Sequence, residues 1–378
     1  MNPEPRTEVA IVLRRLPEYR VALFEVLRKL LQSDGVHLRV LHGEANSQEL
    51  PRDDQGRLDW AERLKTRYFL RERFCWQPIG ASTRSAKLVI VGQQEQPGYN
   101  LWSLPPWAPR RFALWGRGVE EPGADPLDWR GRFVRSVLDR ARWWFINTEV
   151  GADLLRRQGF ARERISIVES TIDTVDLGQR IAAVTTAQID SGRRRMGLKG
   201  ARVALFLGSL CEDKRLPFLL QAAEQVLQRV PGFRLLIAGD GPQRPFIEQA
   251  AKSYPWLRFL GRVQGHEKAL ALRQAELMLS PGGVGVGILD AFTAGIPIVT
   301  TNSPGHGPEI AYLRSGENGL MTENSIEAFV RGVVALLQYE DERRRQGVNA
   351  QYVASHFTIE NMAQQFRAGI HAALRTRT

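Results

Sequence analysis

Short runs of apolar residues alternate with longer segments of helical periodicity along most of the chain. Apolar runs of about four to eight residues are typical of buried strands, and their alternation with helices predicts an α/β protein built on parallel sheets. In the first half of the chain, the predicted strands are residues 9–13, 38–42, 87–91, 112–115, 144–147 and 165–168. In the second half, they are residues 203–208, 234–238, 257–260, 277–280 and 297–301.

Helical segments lie between these strands. Thr148 has the residue type of an N-cap, and Gly159 fits the end of the same helix. The predicted helices are residues 19–31, 148–158, 216–229, 243–253, 266–273, 288–294 and 358–375.

The alternation is interrupted between Asp173 and Gly200, where the sequence becomes polar and then basic. A chain of 378 residues is also long enough for two domains. We therefore predict a first domain over residues 1–175, a linker region that includes a helix over 176–200, and a second domain over 201–356. Two parallel sheets joined in this way predict a cleft at the carboxyl ends of the strands, where open α/β sheets bind ligands.

Composition and charge narrow the classes of partner. The formal net charge of +11 could be explained by nucleic acid, an anionic membrane surface or anionic substrates. Because no block of Lys and Arg concentrates this charge, we do not expect a nucleic-acid partner. No apolar run reaches the roughly 18 residues of a membrane span, and the polar residues 1–8 do not resemble a secretion signal. Cys75 and Cys211 make no metal spacing and are typical of reduced thiols in a cytoplasmic protein.

One segment is both basic and rich in aromatic residues, and it leaves open a contact of the protein with the inner face of a membrane. Such a segment can lie at a membrane surface because its cations attract anionic lipids. We favour the alternative, a solvated helix face, and Trp143 and Trp144 fit better as the start of a buried strand. The segment contains Trp129, Arg130, Arg132, Phe133, Arg135, Arg140, Arg142, Trp143 and Trp144.

Glycine-marked turns follow three predicted strands of the second half. Gly208 and Ser209 end the first strand, and Lys214 follows closely enough to bring an ammonium group to a bound phosphate. A tight turn with solvated charges would explain the same residues. The second turn, residues 239–242, is explained by turn chemistry alone.

The third turn, residues 280–287, contains four glycines and leads directly into a predicted helix. Free backbone amides and the helix dipole can face a diphosphate at such a place. Asp290, in the first turn of the helix, could complement the dipole or accept hydrogen bonds from ribose hydroxyls. Glycine packing with a capping acid is the alternative. The loop does not match the dinucleotide fingerprint, because it lies late in its unit and no acid follows at the ribose distance.

The order of these turns, together with Phe-Leu-Gly-Arg-Val at 259–263 and Ala-Gly-Ile-Pro-Ile-Val at 294–299, resembles a known family. Residues 203–337 look like the donor-binding domain of family-4-type (group 1) retaining glycosyltransferases of the GT-B fold. The resemblance implies an α/β protein with two Rossmann-like parallel-sheet domains facing a cleft. It also implies that the first domain binds the acceptor, that the second binds the nucleotide sugar, and that residues 357–378 pack back on the first.

Carried over residue by residue, the resemblance assigns a donor site. Lys214 matches the lysine that contacts the donor diphosphate and is a catalytic candidate, Asp290 stands at the ribose, and Val263 falls where backbone meets the nucleobase. Ser209 and Gly282 depart from the family pattern, which has an arginine and a sugar-contacting glutamate there; we favour an altered site over an inactive one. The donor-binding set is Gly208, Ser209, Lys214, Val263, Gly282, Gly283, Gly285, Gly287, Ile288, Leu289 and Asp290.

The first half resembles the same family more loosely. Tyr19 and Arg20, which end the motif Leu-Pro-Glu-Tyr-Arg, and Glu149 are acceptor-side candidates. Arg117 follows a predicted strand where the family has a histidine near the reacting centre, and it is the second catalytic candidate. Arginine cannot act as a base at neutral pH, but it can stabilise phosphate or carboxylate charge. A surface arginine is the alternative.

The implied reaction is transfer of a glycosyl group from a nucleoside diphosphate sugar to a hydroxyl acceptor, with retention, in glycan, polysaccharide or glycolipid biosynthesis. The expected partners are the nucleotide sugar and a hydroxyl acceptor, and a lipid-linked glycan is one acceptor that the sequence leaves open. We expect no tightly bound cofactor and no metal. His306 and Glu309 match a region after the glycine turn without an assigned role. The alternatives are a catalytically inert glycosyltransferase-like subunit, supported by the missing glutamate and histidine, and a sugar-nucleotide epimerase.

Overall fold

The computed structural model describes residues 7–47, 49–50, 54–72, 74–93, 112–118 and 140–376. The chain divides into two compact units. The first consists of Met1–Ser47, Asp54–Ser170 and Ile359–Thr378, and the second of Gln48–Asp53 and Thr171–Thr358.

The first unit is built on a parallel sheet with the strand order β3-β2-β1-β6-β7-β8-β9. Its central strands are buried on both faces, which explains why they are continuous apolar runs in the sequence. A separate antiparallel hairpin consists of β4 and β5. The strands are β1 (Thr7–Leu13), β2 (Val36–His42), β3 (Glu62–Arg63), β4 (Arg67–Phe69), β5 (Phe74–Trp76), β6 (Leu88–Gly92), β7 (Phe112–Gly116), β8 (Trp143–Ile146) and β9 (Ile165–Ile167).

Helices α1 (Val21–Ser33) and α2 (Glu149–Arg157) belong to this unit. The amphipathic face of α1 buries four apolar residues against the sheet core, among them Phe24. The side chain of Thr148 accepts a hydrogen bond from the amide of Gly151, so the predicted N-cap of α2 is confirmed.

The second unit is a parallel sheet with the strand order β12-β11-β10-β13-β14-β15. Its strands are β10 (Arg202–Leu207), β11 (Phe233–Ala238), β12 (Leu257–Gly261), β13 (Leu277–Ser280), β14 (Ile298–Thr301) and β15 (Gly319–Thr322). Its helices are α3 (Thr174–Ala183), α4 (Thr186–Arg195), α5 (Leu216–Arg229), α6 (Arg244–Ser253), α7 (Gly265–Gln274), α8 (Ile288–Thr293), α9 (Ile326–Gln338) and α10 (Glu340–Ala354).

The terminal helix α11 (Ile359–Arg375) lies in the first unit. Phe366 stacks on Phe145 with ring centroids 5.2 Å apart and meets Trp115 edge-on at 4.8 Å. At the end of α1, Asp34 accepts hydrogen bonds from Arg367 and His371, and these bonds hold the pKa of the Asp34 carboxyl well below its usual range.

The predicted class, an α/β protein with two parallel sheets, is confirmed. Residues 176–200, which we expected to be an interdomain connection with one helix, are filled mostly by the two helices α3 and α4, and both pack on α7 within the second unit. The sequence pattern also did not predict β3, β4, β5, β15, α9 or α10. In the described part of the chain, no helix combines the length and apolarity needed to cross a bilayer.

Candidate functional site

The second unit has a topological switch point between β10 and β13. From β10 the chain proceeds to β11 and β12 on one side, and from β13 it proceeds to β14 and β15 on the other. In open parallel sheets, ligands bind at the carboxyl ends of the strands on either side of such a reversal. The segments that follow β10 and β13 are those that contain Lys214 and residues 281–287, which we call the glycine loop.

The glycine loop packs directly on the backbone of the turn that follows β10. The amide of Gly283 donates to the carbonyl of Asp213 at 2.8 Å. A Cβ atom added at Gly282 would lie 2.1 Å from the same carbonyl oxygen and 2.7 Å from the carbonyl carbon of Lys214. Because these contacts are with backbone, which yields less easily than a side chain, the loop in this conformation has no room at position 282 for the glutamate of the family pattern.

Three consecutive amides of this loop have no hydrogen-bond partner among the described residues. The amides of Ile288 and Leu289 donate to the carbonyls of Gly285 and Val286, at 3.1 and 3.0 Å. By contrast, the amides of Gly285, Val286 and Gly287 donate to none of the residues that the structure describes. The donor-binding set that the resemblance assigns includes Gly285 and residues 287–289; of these, Ile288 and Leu289 use their amides in the local turn.

Open space adjoins these amides. A Cβ atom added at Gly285 would meet no atom within 4 Å. Consecutive unpaired N–H groups form a concavity that binds anions such as phosphate. The loop therefore has the donors and the room for an anionic group.

Lys214 lies against the glycine loop. Its ammonium group contacts the carbonyl of Gly283 and lies 2.8 Å from Oδ2 of Asp213, and its side chain is 17% exposed. Gly208 and Ser209 are half-buried at the end of β10, and Ser209 forms no hydrogen bond with any described residue. The segment after β10 thus places a cation, and a hydroxyl without a described partner, next to the glycine loop.

His306 forms hydrogen bonds with the glycine loop and with the end of β14. Its Nδ1 accepts from the amide of Val284 at 3.1 Å, and its Nε2 donates to the carbonyl of Thr301 at 2.8 Å. This arrangement requires a neutral ring with the proton on Nε2. Burial lowers the pKa of His306, and the charge of Lys214 lowers it further, although the bond to Thr301 opposes both.

Asp290 is buried in α8 and has a partner that the sequence did not indicate. Its Oδ1 lies 2.5 Å from Nζ of Lys268 on α7, in a contact poorly aligned for a hydrogen bond. Burial raises the pKa of Asp290, and the charge of Lys268 counteracts this rise. A buried acid needs a cation, but no sequence signal separates Lys268 from the other basic residues of the unit.

The remaining candidates of the second unit have less informative surroundings. Val263 is half-buried beyond the end of β12. Glu309 is 6% exposed in the short 3-10 helix Pro308–Tyr312. A Cβ atom at Gly239 would lie 1.8 Å from the carbonyl oxygen of Gly208, so the turn after β11 requires glycine for packing.

In the first unit, two of the candidates lie at or near β7. The guanidinium carbon of Arg20 lies 4.2 Å from the ring centroid of Trp115 and 5.6 Å from that of Tyr19. Arg117 is half-buried immediately after this strand. Glu149 is exposed, and its carboxylate accepts from Arg156 at 2.7 Å. Of the basic segment considered for membrane contact, Trp129, Arg130, Arg132, Phe133 and Arg135 lie outside the described residues.

Trp143 and Trp144, at the end of the same segment, begin the buried strand β8, as predicted. Among the described residues, no group of three or more His, Cys, Asp or Glu side chains is placed to hold a metal ion.

Comparisons with known proteins give matches to glycosyltransferases. Residues 201–339, which contain the switch point and the glycine loop, match the model of the family "Glycosyl transferases group 1". A phosphatidyl-myo-inositol mannosyltransferase of Mycobacterium leprae is 31% identical over 181 residues, 46% of this chain and 46% of that protein. A 2-deoxystreptamine N-acetyl-D-glucosaminyltransferase of Niallia circulans is 29% identical over 119 residues, 30% of this chain and 31% of that protein.

Solved structures match over nearly the whole chain. A glycosyltransferase from Rickettsia africae superposes with a TM-score of 0.71 at 14% identity, covering 98% of this chain and all (100%) of that one. Anabaena Alr3699/HepE in complex with UDP superposes with a TM-score of 0.70 at 14% identity, covering 97% of this chain and 100% of that one. The chain spans less than half the length of the curated relatives it matches. The fold is therefore that of GT-B glycosyltransferases, and the sequence match to the group 1 family lies in the second unit.

Proposed function

We propose that this protein is a glycosyltransferase that transfers a glycosyl group from a nucleoside diphosphate sugar to a hydroxyl acceptor. The observation that carries the proposal is the run of three amides, Gly285 to Gly287, which have no partner in the described part of the chain and lie at the switch point on the same loop that Lys214 contacts. The match of this segment to group 1 glycosyltransferases supports the same reading.

In this proposal, the donor diphosphate binds on the glycine loop. As the bond between the anomeric carbon and the β-phosphate oxygen breaks, negative charge develops on the departing diphosphate. Fixed amides and the ammonium of Lys214 stabilise that charge where it forms. The acceptor oxygen bonds to the anomeric carbon, and its proton passes to the departing phosphate. Lys214 exchanges its present contacts with Asp213 and the Gly283 carbonyl for the phosphate.

Asp290 is our proposed ribose ligand. Its close but poorly aligned contact with Lys268 leaves acceptor capacity on a buried carboxylate, which ribose hydroxyls would use. Val263 meets the nucleobase through backbone, and Gly208 and Ser209 border the diphosphate. Tyr19, Arg20, Glu149 and Arg117 belong to the acceptor side. This division of roles gives the donor to residues 201–356 and the acceptor to residues 1–175.

Membership of family 4 and retention of anomeric configuration are further parts of the proposal. They are supported by the similarity to the phosphatidyl-myo-inositol mannosyltransferase and by the order of the motifs. Because the superposing HepE structure contains UDP, UDP-sugars are the first donors to test.

A catalytically inert nucleotide-sugar-binding subunit is the second candidate, and one observation favours it. The close backbone contacts at Gly282 leave no room for the sugar-contacting carboxylate of the family. Both candidates bind nucleotide sugar, but only the enzyme releases nucleoside diphosphate in the presence of an acceptor.

The distinguishing experiment incubates the full chain with UDP-, GDP-, ADP- and TDP-sugars and a panel of hydroxyl acceptors, including lipid-linked glycans. Release of nucleoside diphosphate together with a glycosylated product establishes the enzyme, and NMR of the product's anomeric proton tests retention. Lys214→Ala should reduce turnover by about 10²–10³-fold while leaving the fold intact. Donor binding without release under any acceptor condition would instead establish the inert subunit.

A further inference from the structure

The hairpin β4–β5 of the first unit has two faces of opposite character. Its register pairs Arg67 with Trp76, Tyr68 with Cys75, and Phe69 with Phe74. Because alternate residues of a strand point to opposite faces, Tyr68 and Cys75 share one face. Arg67, Phe69, Phe74 and Trp76 share the other.

The inner face is anchored to the unit. Cys75 is 2% exposed, and Tyr68 packs against the same apolar core. The hydroxyl of Tyr68 accepts from Arg14 at 3.0 Å and donates to the carbonyl of Glu44 at 2.6 Å. Arg14 follows β1 and Glu44 follows β2, so these bonds tie the hairpin to the carboxyl ends of two central strands.

The outer face exposes large apolar side chains. Phe69 is 49% exposed, Trp76 is 40% exposed, and Leu70, in the turn after Phe69, is 71% exposed. Single exposed apolar residues are ordinary on soluble proteins, but a cluster of three within one short hairpin marks an interaction surface.

Three cations lie on the hairpin or directly before it. Lys65, Arg67 and Arg71 are exposed, and none of them forms an ion pair with a described residue. The carboxylate of Glu72, in the turn, accepts hydrogen bonds from the amide and the hydroxyl of Ser47. The surface therefore combines apolar side chains with an excess of positive charge.

We infer that the hairpin docks on an anionic lipid bilayer. Phe69, Leu70 and Trp76 enter the boundary between headgroups and acyl chains, where tryptophan is favoured, and Lys65, Arg67 and Arg71 contact anionic headgroups. Docking brings the carboxyl ends of β1 and β2 to the lipid surface, which is where a lipid-borne hydroxyl acceptor would be presented. The inference does not depend on catalysis, because lipid binding needs neither donor nor acceptor.

Sedimentation with lipid vesicles tests this inference on the full chain. The protein should bind vesicles of phosphatidylcholine mixed with phosphatidylglycerol, bind phosphatidylcholine alone much more weakly, and lose affinity as salt is raised. The double variant Leu70→Ser/Trp76→Ser should lower the partition coefficient by about ten-fold or more, and so should Lys65→Gln/Arg67→Gln/Arg71→Gln. Each variant should keep the melting temperature of the wild type, because the changed side chains are exposed.

Two matched controls separate this surface from general stickiness and net charge. Val348→Ser/Tyr352→Ser removes exposed apolar side chains from α10, where they are 65% and 69% exposed. Arg194→Gln/Arg195→Gln/Arg331→Gln removes the same charge from exposed positions elsewhere. Both controls should bind like the wild type. Absence of vesicle binding, unchanged binding of the hairpin variants, or equal loss in the controls would overturn the inference.

Discussion

Gly282 and Gly285 stand three residues apart in the glycine loop but have opposite surroundings. A methyl group at 282 collides with backbone of residues 213 and 214, whereas one at 285 meets nothing. Gly282→Ala should therefore destabilise the second unit by about 1–3 kcal/mol, the usual cost of overpacking. Gly285→Ala should leave stability unchanged, because Gly285 does not have left-handed backbone.

The same Gly285→Ala methyl group would occupy the space beside the unpaired amides. Affinity for nucleoside diphosphate should fall by about ten-fold or more, equivalent to about 1.4 kcal/mol. Thermal melts and calorimetry on the two variants measure the contrast. A Gly285→Ala protein with wild-type affinity would place the diphosphate elsewhere.

We expect the hydrogen bonds of His306 to make the glycine loop sensitive to pH. Protonation of Nδ1 would set two N–H donors against each other at Val284, next to the unpaired amides. Because the pKa of His306 is lowered in the folded state, its stabilising effect is complete above the unfolded value of about 6.5 and is lost as the pH falls below that value.

Affinity for an intact nucleotide sugar should consequently weaken as the pH is lowered from about 8 to about 5. A nucleotide sugar is the appropriate ligand because its esterified diphosphate lacks the ionisation near pH 6 of a terminal phosphate. His306→Asn should remove this dependence, and His356→Asn, a change in an exposed residue, should retain it. A pH dependence that survives in His306→Asn would assign it to another group.

At the scale of elements, the terminal helix α11 is part of the first unit's core. Phe366 is fully buried between Phe145 and Trp115. A Cβ atom at Gly369 would lie 2.5 Å from the Ser166 hydroxyl, which shows how closely the helix approaches the sheet.

Phe366→Ala should lower the free energy of unfolding by about 3–5 kcal/mol, because it leaves a cavity between the helix and the sheet. Gln365→Ala, at the neighbouring exposed position, should change it by less than about 0.5 kcal/mol. Urea unfolding followed by tryptophan fluorescence measures both. Equal stabilities would show that α11 is not integral to the unit.

The sequence pattern predicted elements where burial is uniform. Strand β6 is apolar throughout and β10 is apolar after Arg202, because parallel sheets are covered on both faces, and this makes both strands visible as apolar runs in the sequence. Hairpin β4–β5 escaped prediction because it is short and its outer face mixes cations with aromatic residues. Helix α10 is mostly polar and has little amphipathic periodicity, so its pattern gave no helical signal.

At the scale of the whole molecule, the sequence predicted which segments form the candidate site but not how they meet. Strand-end glycines and Lys214 were identified from their order along the chain. The contact of Lys268 with Asp290 and the bond of His306 to Val284 join residues 22 apart, across different elements. Such contacts depend on tertiary packing, and no local pattern encodes them.

The excess of positive charge on the whole chain is consistent with the two anionic partners that we propose, a diphosphate bound to the second unit and a lipid surface bound to the first. The net charge of +11 is spread along the chain, and the hairpin has cations that form no ion pair with any described residue. Charge of this kind speeds association with anionic ligands without specifying them.

The central claim is that the glycine loop and Lys214 together bind the diphosphate of a nucleotide sugar, and calorimetry with bare nucleoside diphosphates tests it most directly. At least one of UDP, GDP, ADP and TDP should bind the full chain, and Lys214→Ala should weaken that binding by about ten- to a hundred-fold, the range for losing a charge-assisted contact. Lys252→Ala, on α6 of the same unit, should leave it unchanged. Failure of all four nucleotides to bind, or equal affinity in wild type and Lys214→Ala, would contradict the account.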